Sequence, residues 1–199
     1  MKAKSSFNTR TIVGLGLLTA IVVVLQWIGS FIHIGPFSVS LVLMPIVVGA
    51  ALYGVWAGGW LGLVFGVVVL FTDPTVPAFM AENAVLTILL VLVKGTAAGL
   101  CSGLVYKLIA KKNVIAAVFI AAAVCPIVNT GIFIVGCELI FSNVIQAIAS
   151  SLSVDVNYFI WTIIVLFNFV PELIVNIILG PAIVSIIKFG KKSIAKRNG

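Results

Sequence analysis

Lys94 lies inside LLVLVKGTAAG, a stretch that otherwise belongs in hydrocarbon. Counted from the nearer end of its apolar run it is about ten residues deep, or roughly 15 Å at the rise of an α-helix. An ammonium at that depth costs at least about 2.5 kcal/mol to insert, so it needs a partner or a task. Further along the chain, Asn168, Glu172 and Asn176 recur every four residues and share one helix face. Asn129, in CPIVNTGIF, lies about eleven residues into its own run, and Asn168 about eleven into the last one. Three runs therefore place Lys94, Asn129 and Asn168 at one level, with Glu172 about a turn deeper. A cation, two amides and a carboxylate could hold a small polar molecule, with Lys94 and Glu172 paired on the floor. They could also only tie helices together. Gln26, Trp27, Phe79, Glu82 and Trp161 are candidates for the upper wall, although tryptophans near run ends also serve as interfacial anchors. Pro126 and Pro171 each free a carbonyl one turn back, which must find a partner inside a membrane.

Other chemistry is poorly supplied. Cys101, Cys125 and Cys137 form no CxxC pair, and His33 is the single histidine. A zinc site needs about four clustered N/S ligands, so no metal or cofactor is expected. His33 has no evident partner for acid–base work, and no enzyme activity is expected. There is no GxxxxGK[ST] phosphate loop.

The elements that must position these groups follow from composition. Of 199 residues, 62% are hydrophobic and 9% charged, and the mean hydropathy is +1.32. Soluble domains carry roughly 25% charged residues. The expected class is an all-α integral membrane protein forming one membrane domain, 1–199, with no soluble catalytic module. Apolar runs against their punctuation give six transmembrane helices, at about 10–32, 40–54, 57–72, 84–109, 114–140 and 157–189. The second and third are short, hence tilted or incomplete. The first run is too long for a signal-peptide core.

Charge sets the orientation. Lys2, Lys4 and Arg10 precede the first run; Lys107, Lys111 and Lys112 separate the fourth and fifth; Lys188, Lys191, Lys192, Lys196 and Arg197 close the chain. With six spans all three clusters fall on one side, so both termini are expected in the cytoplasm. Asp73, Glu82, Glu138 and Asp155 fall at or near the opposite surface, where the longer loops lie. The net charge of +7 is thus a topology signal, and nucleic-acid binding, which needs a basic face with base-reading groups, is not expected. Gly58, Gly62 and Gly66, and Gly95, Gly99 and Gly103, form two small-residue ladders suited to close helix packing.

The chain resembles the substrate-binding S components of energy-coupling-factor (ECF) vitamin transporters. The resemblance rests on TRTIVGLGLLTAIVVVLQ, GPFSVSLVLMPIVVGAALYGVWAGGWLGLVFG, VKGTAAGLCSGLVYKL and CPIVNTGIF, and covers essentially the whole chain. It implies six helices with cytoplasmic termini and a multi-pass protein of a prokaryotic cell membrane. It also implies a vitamin site near the outer face, a transmembrane coupling protein and two cytosolic ATPases as partners, and transport by toppling of the S component. The family's AxxxA contact with the coupling protein is matched by Gly16-xxx-Ala20 in the first helix. The pattern lies nearest the pantothenate and riboflavin branches. Lys94 suits a carboxylate such as pantothenate's; an ionised Glu172 disfavours a strongly anionic ligand. The residues expected at the substrate are Lys94, Asn129, Asn168, Glu172, Glu82 and Trp161. Two further classes stay open on the residues alone. A self-sufficient secondary transporter could couple protons through Lys94 and Glu172, though no inverted repeat is evident. A ligand-free scaffold would need only the glycine ladders.

Overall fold

The structure, a computed structural model, describes residues 9–31, 33–34, 37–38 and 42–196. Lys2, Lys4 and Arg197 lie outside them. Helix α1 spans Thr9–Gly29, and a two-residue hairpin, β1 (His33–Ile34) with β2 (Phe37–Ser38), follows it. Then come α2 (Leu43–Tyr53), α3 (Val55–Thr72), α4 (Val76–Ile109), α5 (Val114–Leu139) and α6 (Ser142–Ser151). The last rod starts as α7 (Val156–Tyr158), widens into a π-helical segment over Phe159–Phe169 and closes as α8 (Val170–Ile178). Helix α9 covers Gly180–Lys196. Among the described residues five stretches are long and apolar enough to cross a membrane: Thr11–Gly29, Val55–Thr72, Val76–Ile109, Val114–Leu139 and Val156–Ile178. At roughly 16 Å, α2 is too short to cross alone. Its residues Leu43 and Pro45–Ala51 are all buried, so it is a central post and not a lipid-facing span. The protein is therefore a multi-pass, helical membrane protein.

The central packing is backbone on backbone. A Cβ on Gly58 would meet the Gly99 carbonyl, one on Gly62 the Gly95 carbonyl, and one on Gly66 the Val91 carbonyl. Partner numbers fall as α3 advances, so α3 and α4 run antiparallel, joined by a short turn that Asp73 ties by accepting from Thr75 N (2.9 Å) and Thr75 Oγ1 (2.6 Å). At this distance Cα–H groups face carbonyls directly. The reversal between α2 and α3 turns on Gly54, whose φ of 101° suits a residue without a Cβ. Asn113 caps α5 by accepting from Ile115 N and Ala116 N at 2.9 and 3.0 Å. Ser102 of α4 donates to the Ala121 carbonyl of α5 (3.0 Å), which sets the level of these two helices.

Four boundaries differ from those read in the sequence. The first helix ends at Gly29 and the second begins at Leu43, with the hairpin in between. The connection after α3 is largely helical: α4 starts at Val76 and breaks at Asn83 (φ −157°, ψ 102°) before resuming. Asn83 Oδ1 accepts from Leu86 N (3.0 Å), restarting the helix. The loop after α5 contains α6, whose Val144, Ile145 and Ala149 pack inward. The final stretch is two helices, because Pro181 lacks an N–H and disfavours helical backbone just before it.

Candidate functional site

The cavity forms where α3, α4, α5 and the last rod converge beneath the α3–α4 turn. Phe65 and Val69 come from α3, and Asp73 and Thr75 from the turn. Helix α4 gives Val76, Phe79, Thr87, Leu90, Val91 and Lys94. Helix α5 gives Asn129, Thr130 and Phe133, and the last rod Ile164, Asn168 and Glu172. The spacing explains the convergence: Thr87, Val91 and Lys94 fall at i, i+4 and i+7 on α4, and Asn129 and Phe133 are four apart on α5.

Lys94 Nζ sits 4.4 Å from the centroid of the Phe133 ring, a cation–π contact. The carboxylates of Asp73 and Glu172 are near enough to act on its charge. Glu172 is buried, and its main-chain carbonyl accepts from Asn176 Nδ2 (2.8 Å). Asn129 is also buried, yet its Oδ1 finds no hydrogen-bond partner among the described residues. An amide oxygen left so costs about 1–3 kcal/mol, which a bound donor would return. Above these groups Phe79 closes the roof, edge-on to Phe141 (centroids 5.2 Å apart, 72°) and tilted against Phe133 (5.8 Å, 51°). The enclosed volume is about 50 Å³, room for a few waters and well below the roughly 300–1,000 Å³ of an occupied ligand pocket.

The structure thus brings Lys94, Asn129, Asn168 and Glu172 onto one wall, and Phe79 onto the roof. It does not bring Glu82 and Trp161 there. Glu82 is exposed, and its Oε1 accepts from Asn143 Nδ2 (3.2 Å), linking α4 to α6. Trp161 is 63% exposed. Seven residues make about two α-helical turns, which would align Trp161 with Asn168. The wider turns of the π segment separate them, leaving Ile160 and Ile164 inward instead. Gln26 is fully buried beside Thr72, to whose Oγ1 its Nε2 donates (3.4 Å), while Trp27 is exposed. Asp73, Thr75, Thr87, Thr130 and Phe133 also line the cavity, beyond the residues the sequence pattern points to. Thr87 and Lys94 are seven apart on α4, and that periodicity would have found Thr87. Threonines and phenylalanines are otherwise too common in membrane helices to stand out.

Gly16 and Ala20 lie on the exposed face of α1, and a Cβ on Gly16 would meet nothing within 4 Å. Beside them Trp60 Nε1 donates to Thr19 Oγ1 (3.2 Å). Among the described residues no group of three or more His, Cys, Asp or Glu is placed to hold a metal.

No curated protein matches the chain. A family model does, over residues 10–184, and its description is ECF transporter, substrate-specific component. The match takes in every residue of the cavity wall together with the exposed small-residue face of α1. The chain belongs to the substrate-specific components of ECF transporters, transporter subunits that bind small vitamin substrates and work with a coupling protein and ATPases.

Proposed function

We propose that the cavity is the vitamin site of this S component and that the vitamin is pantothenate. The observation that carries the reading is that Lys94 and the unpartnered Asn129 Oδ1 line one cavity. Lys94 meets the ligand carboxylate. Asn129 accepts from the ligand amide or a hydroxyl, and Asp73, Asn168 and Glu172 bond the remaining polar groups. Pantothenate matches this set, since it carries one anion and several donors. The adjacent carboxylates disfavour a dianion. A second reading is riboflavin, favoured by the three phenylalanines Phe65, Phe79 and Phe133 in the lining, which suit a flat ring.

In this reading residues 1–199 are one membrane domain with six spans, the short, buried α2 being the second and joining the five longer stretches. The α3–α4 turn and α6 face outward, and the basic connection between α4 and α5 and both termini face the cytoplasm of a prokaryotic cell. A transmembrane coupling protein docks on Gly16 and Ala20, and two cytosolic ATPases supply the energy that this chain cannot.

The test is mass spectrometry of small molecules released from the purified full chain in detergent. A stoichiometric vitamin identifies the ligand, with pantothenate expected. An empty chain that gives no thermal shift with a panel of vitamins sinks the reading. Because Glu82 bonds Asn143 outside the cavity, Glu82→Ala is expected to leave the equilibrium affinity within about threefold, the size of an exposed polar contact. A large loss, measured by isothermal titration, would return Glu82 to the site.

A further inference from the structure

The basic end of the molecule carries a second feature. Four contacts fix a common level there. Ser102 bonds the Ala121 carbonyl. A Cβ on Gly103 would lie 3.0 Å from Val55 Cα and 3.2 Å from the Ala50 Cβ. One on Gly180, the first residue of α9, would meet the Phe119 ring, and one on Gly190 would lie 2.8 Å from Leu52 Cδ2. Phe119 is two residues from Ala121, and Leu52 is two from Ala50. Gly180 and Gly190 therefore sit within a few ångströms of the same depth, although about 15 Å of helix separates them. Helix α9 runs across the bundle end, from α5 to α2, and not along the bundle axis.

That depth is where a bilayer surface belongs. From the break at Asn83 to Ser102 is roughly 28 Å of helix, close to the ~30 Å of a hydrocarbon core. Trp56, 84% exposed, stands at the Val55 level, as interfacial tryptophans do. Lys107, Lys111 and Lys112 lie beyond it. On α9 itself, Gly180, Ile183, Val184 and Ile187 are buried against the bundle. Ala182, Ile186 and Phe189 form a separate exposed stripe at helical spacing, with Phe189 76% exposed and Lys188 exposed beside it.

We infer that α9 is an in-plane interfacial helix whose Ile186 and Phe189 enter the acyl chains of the surrounding leaflet, while Lys188 and the α4–α5 lysines engage anionic phospholipid headgroups. Charge complementarity selects the partner: the end is basic, and a polybasic juxtamembrane surface attracts anionic lipid. Amphipathic helices of this composition lie in the headgroup boundary. The inference is independent of which ligand the cavity takes.

The test is a depth profile of the full chain in vesicles of phosphatidylethanolamine and phosphatidylglycerol. Nitroxide labels go, one at a time, on Ala182→Cys, Ile186→Cys and Phe189→Cys, with Cys101, Cys125 and Cys137 replaced by alanine. Nearly equal depths at the headgroup boundary are expected. A slope of about 1.5 Å per residue, near 10 Å from 182 to 189, is that of a spanning tail and overturns the proposal. A second measurement needs no cysteine replacement: native mass spectrometry of the otherwise unaltered chain with phosphatidylglycerol and phosphatidylcholine. Preferential retention of phosphatidylglycerol is expected, weakened about fivefold in Lys188→Glu. Equal retention of both lipids overturns the headgroup assignment, as does a label on Phe189→Cys that leaves water only when the coupling protein is added.

Discussion

Gly62→Leu is expected to abolish the folded protein. The first atom of the new side chain would fall on the Gly95 carbonyl oxygen, and Gly95 faces the Gly62 carbonyl in return. Where a neighbour is a flexible side chain, it can swing away. Here it is backbone, held at both ends by helical hydrogen bonds, so α3 and α4 must separate along their length. Overpacking costs about 1–3 kcal/mol when side chains can adjust, and a backbone obstacle puts this substitution at or above the top of that range. Gly99→Leu meets the Gly58 carbonyl in the same way. Gly16→Leu is the control, since a Cβ there has open space. The measurement is thermal unfolding in detergent, followed by size-exclusion chromatography with fluorescence detection. Loss of the monodisperse peak for Gly62→Leu and Gly99→Leu, with Gly16→Leu unchanged, is the expected pattern. A wild-type melting temperature for Gly62→Leu would show that the α3–α4 contact is not what holds the bundle.

Lys94→Met carries the second large effect, on binding. Methionine keeps the length and the contact with Phe133 but removes the charge. Truncating a buried charged partner of a ligand costs about 2–5 kcal/mol, a loss of roughly 30-fold or more in affinity. Asn129→Leu should act in the same direction through the lost acceptor. Both are read by titrating the vitamin onto protein freed of ligand, with the melting temperature confirming the fold. The expected result is weak binding in both, at near wild-type stability for Asn129→Leu and with a lowered melting temperature for Lys94→Met, because that substitution takes a cation away from the buried Glu172 carboxylate. If both variants bind as the wild type does, the cavity is not the site.

Much of this arrangement is legible in the sequence, for a physical reason. Ionisable and amide groups are costly in hydrocarbon, so Lys94, Asn129, Asn168 and Glu172 stand out, and counting residues from run ends gives their depth. The four do line one cavity. What the count cannot give is rotation. Trp161 and Asn168 share a face on an ideal α-helix, but the π segment between Phe159 and Phe169 turns one away from the other. Nor does hydropathy mark direction: the α9 segment is apolar enough to look like the end of a span, and only its contacts with Phe119 and Leu52 show it running crosswise. The stretch TDPTVPAFMAEN reads as a loop from its prolines and polar residues. Yet Val76–Glu82 is helical, because proline at the first turn of a helix loses no hydrogen bond and Pro77 sits there.

The smallness of the cavity has a kinetic consequence. On the proposed reading a vitamin is larger than the cavity, at about 50 Å³, so the lining must open before it binds. With Phe79 packed on Phe133 and Phe141, the proposed site makes the association rate report the frequency of such an opening more than the rate of collision. Departure has to wait for the same event. In that reading such a subunit would hold its cargo by residence time, its affinity reached through slow release, which is what a carrier needs if it must keep its load until ATPases elsewhere have acted.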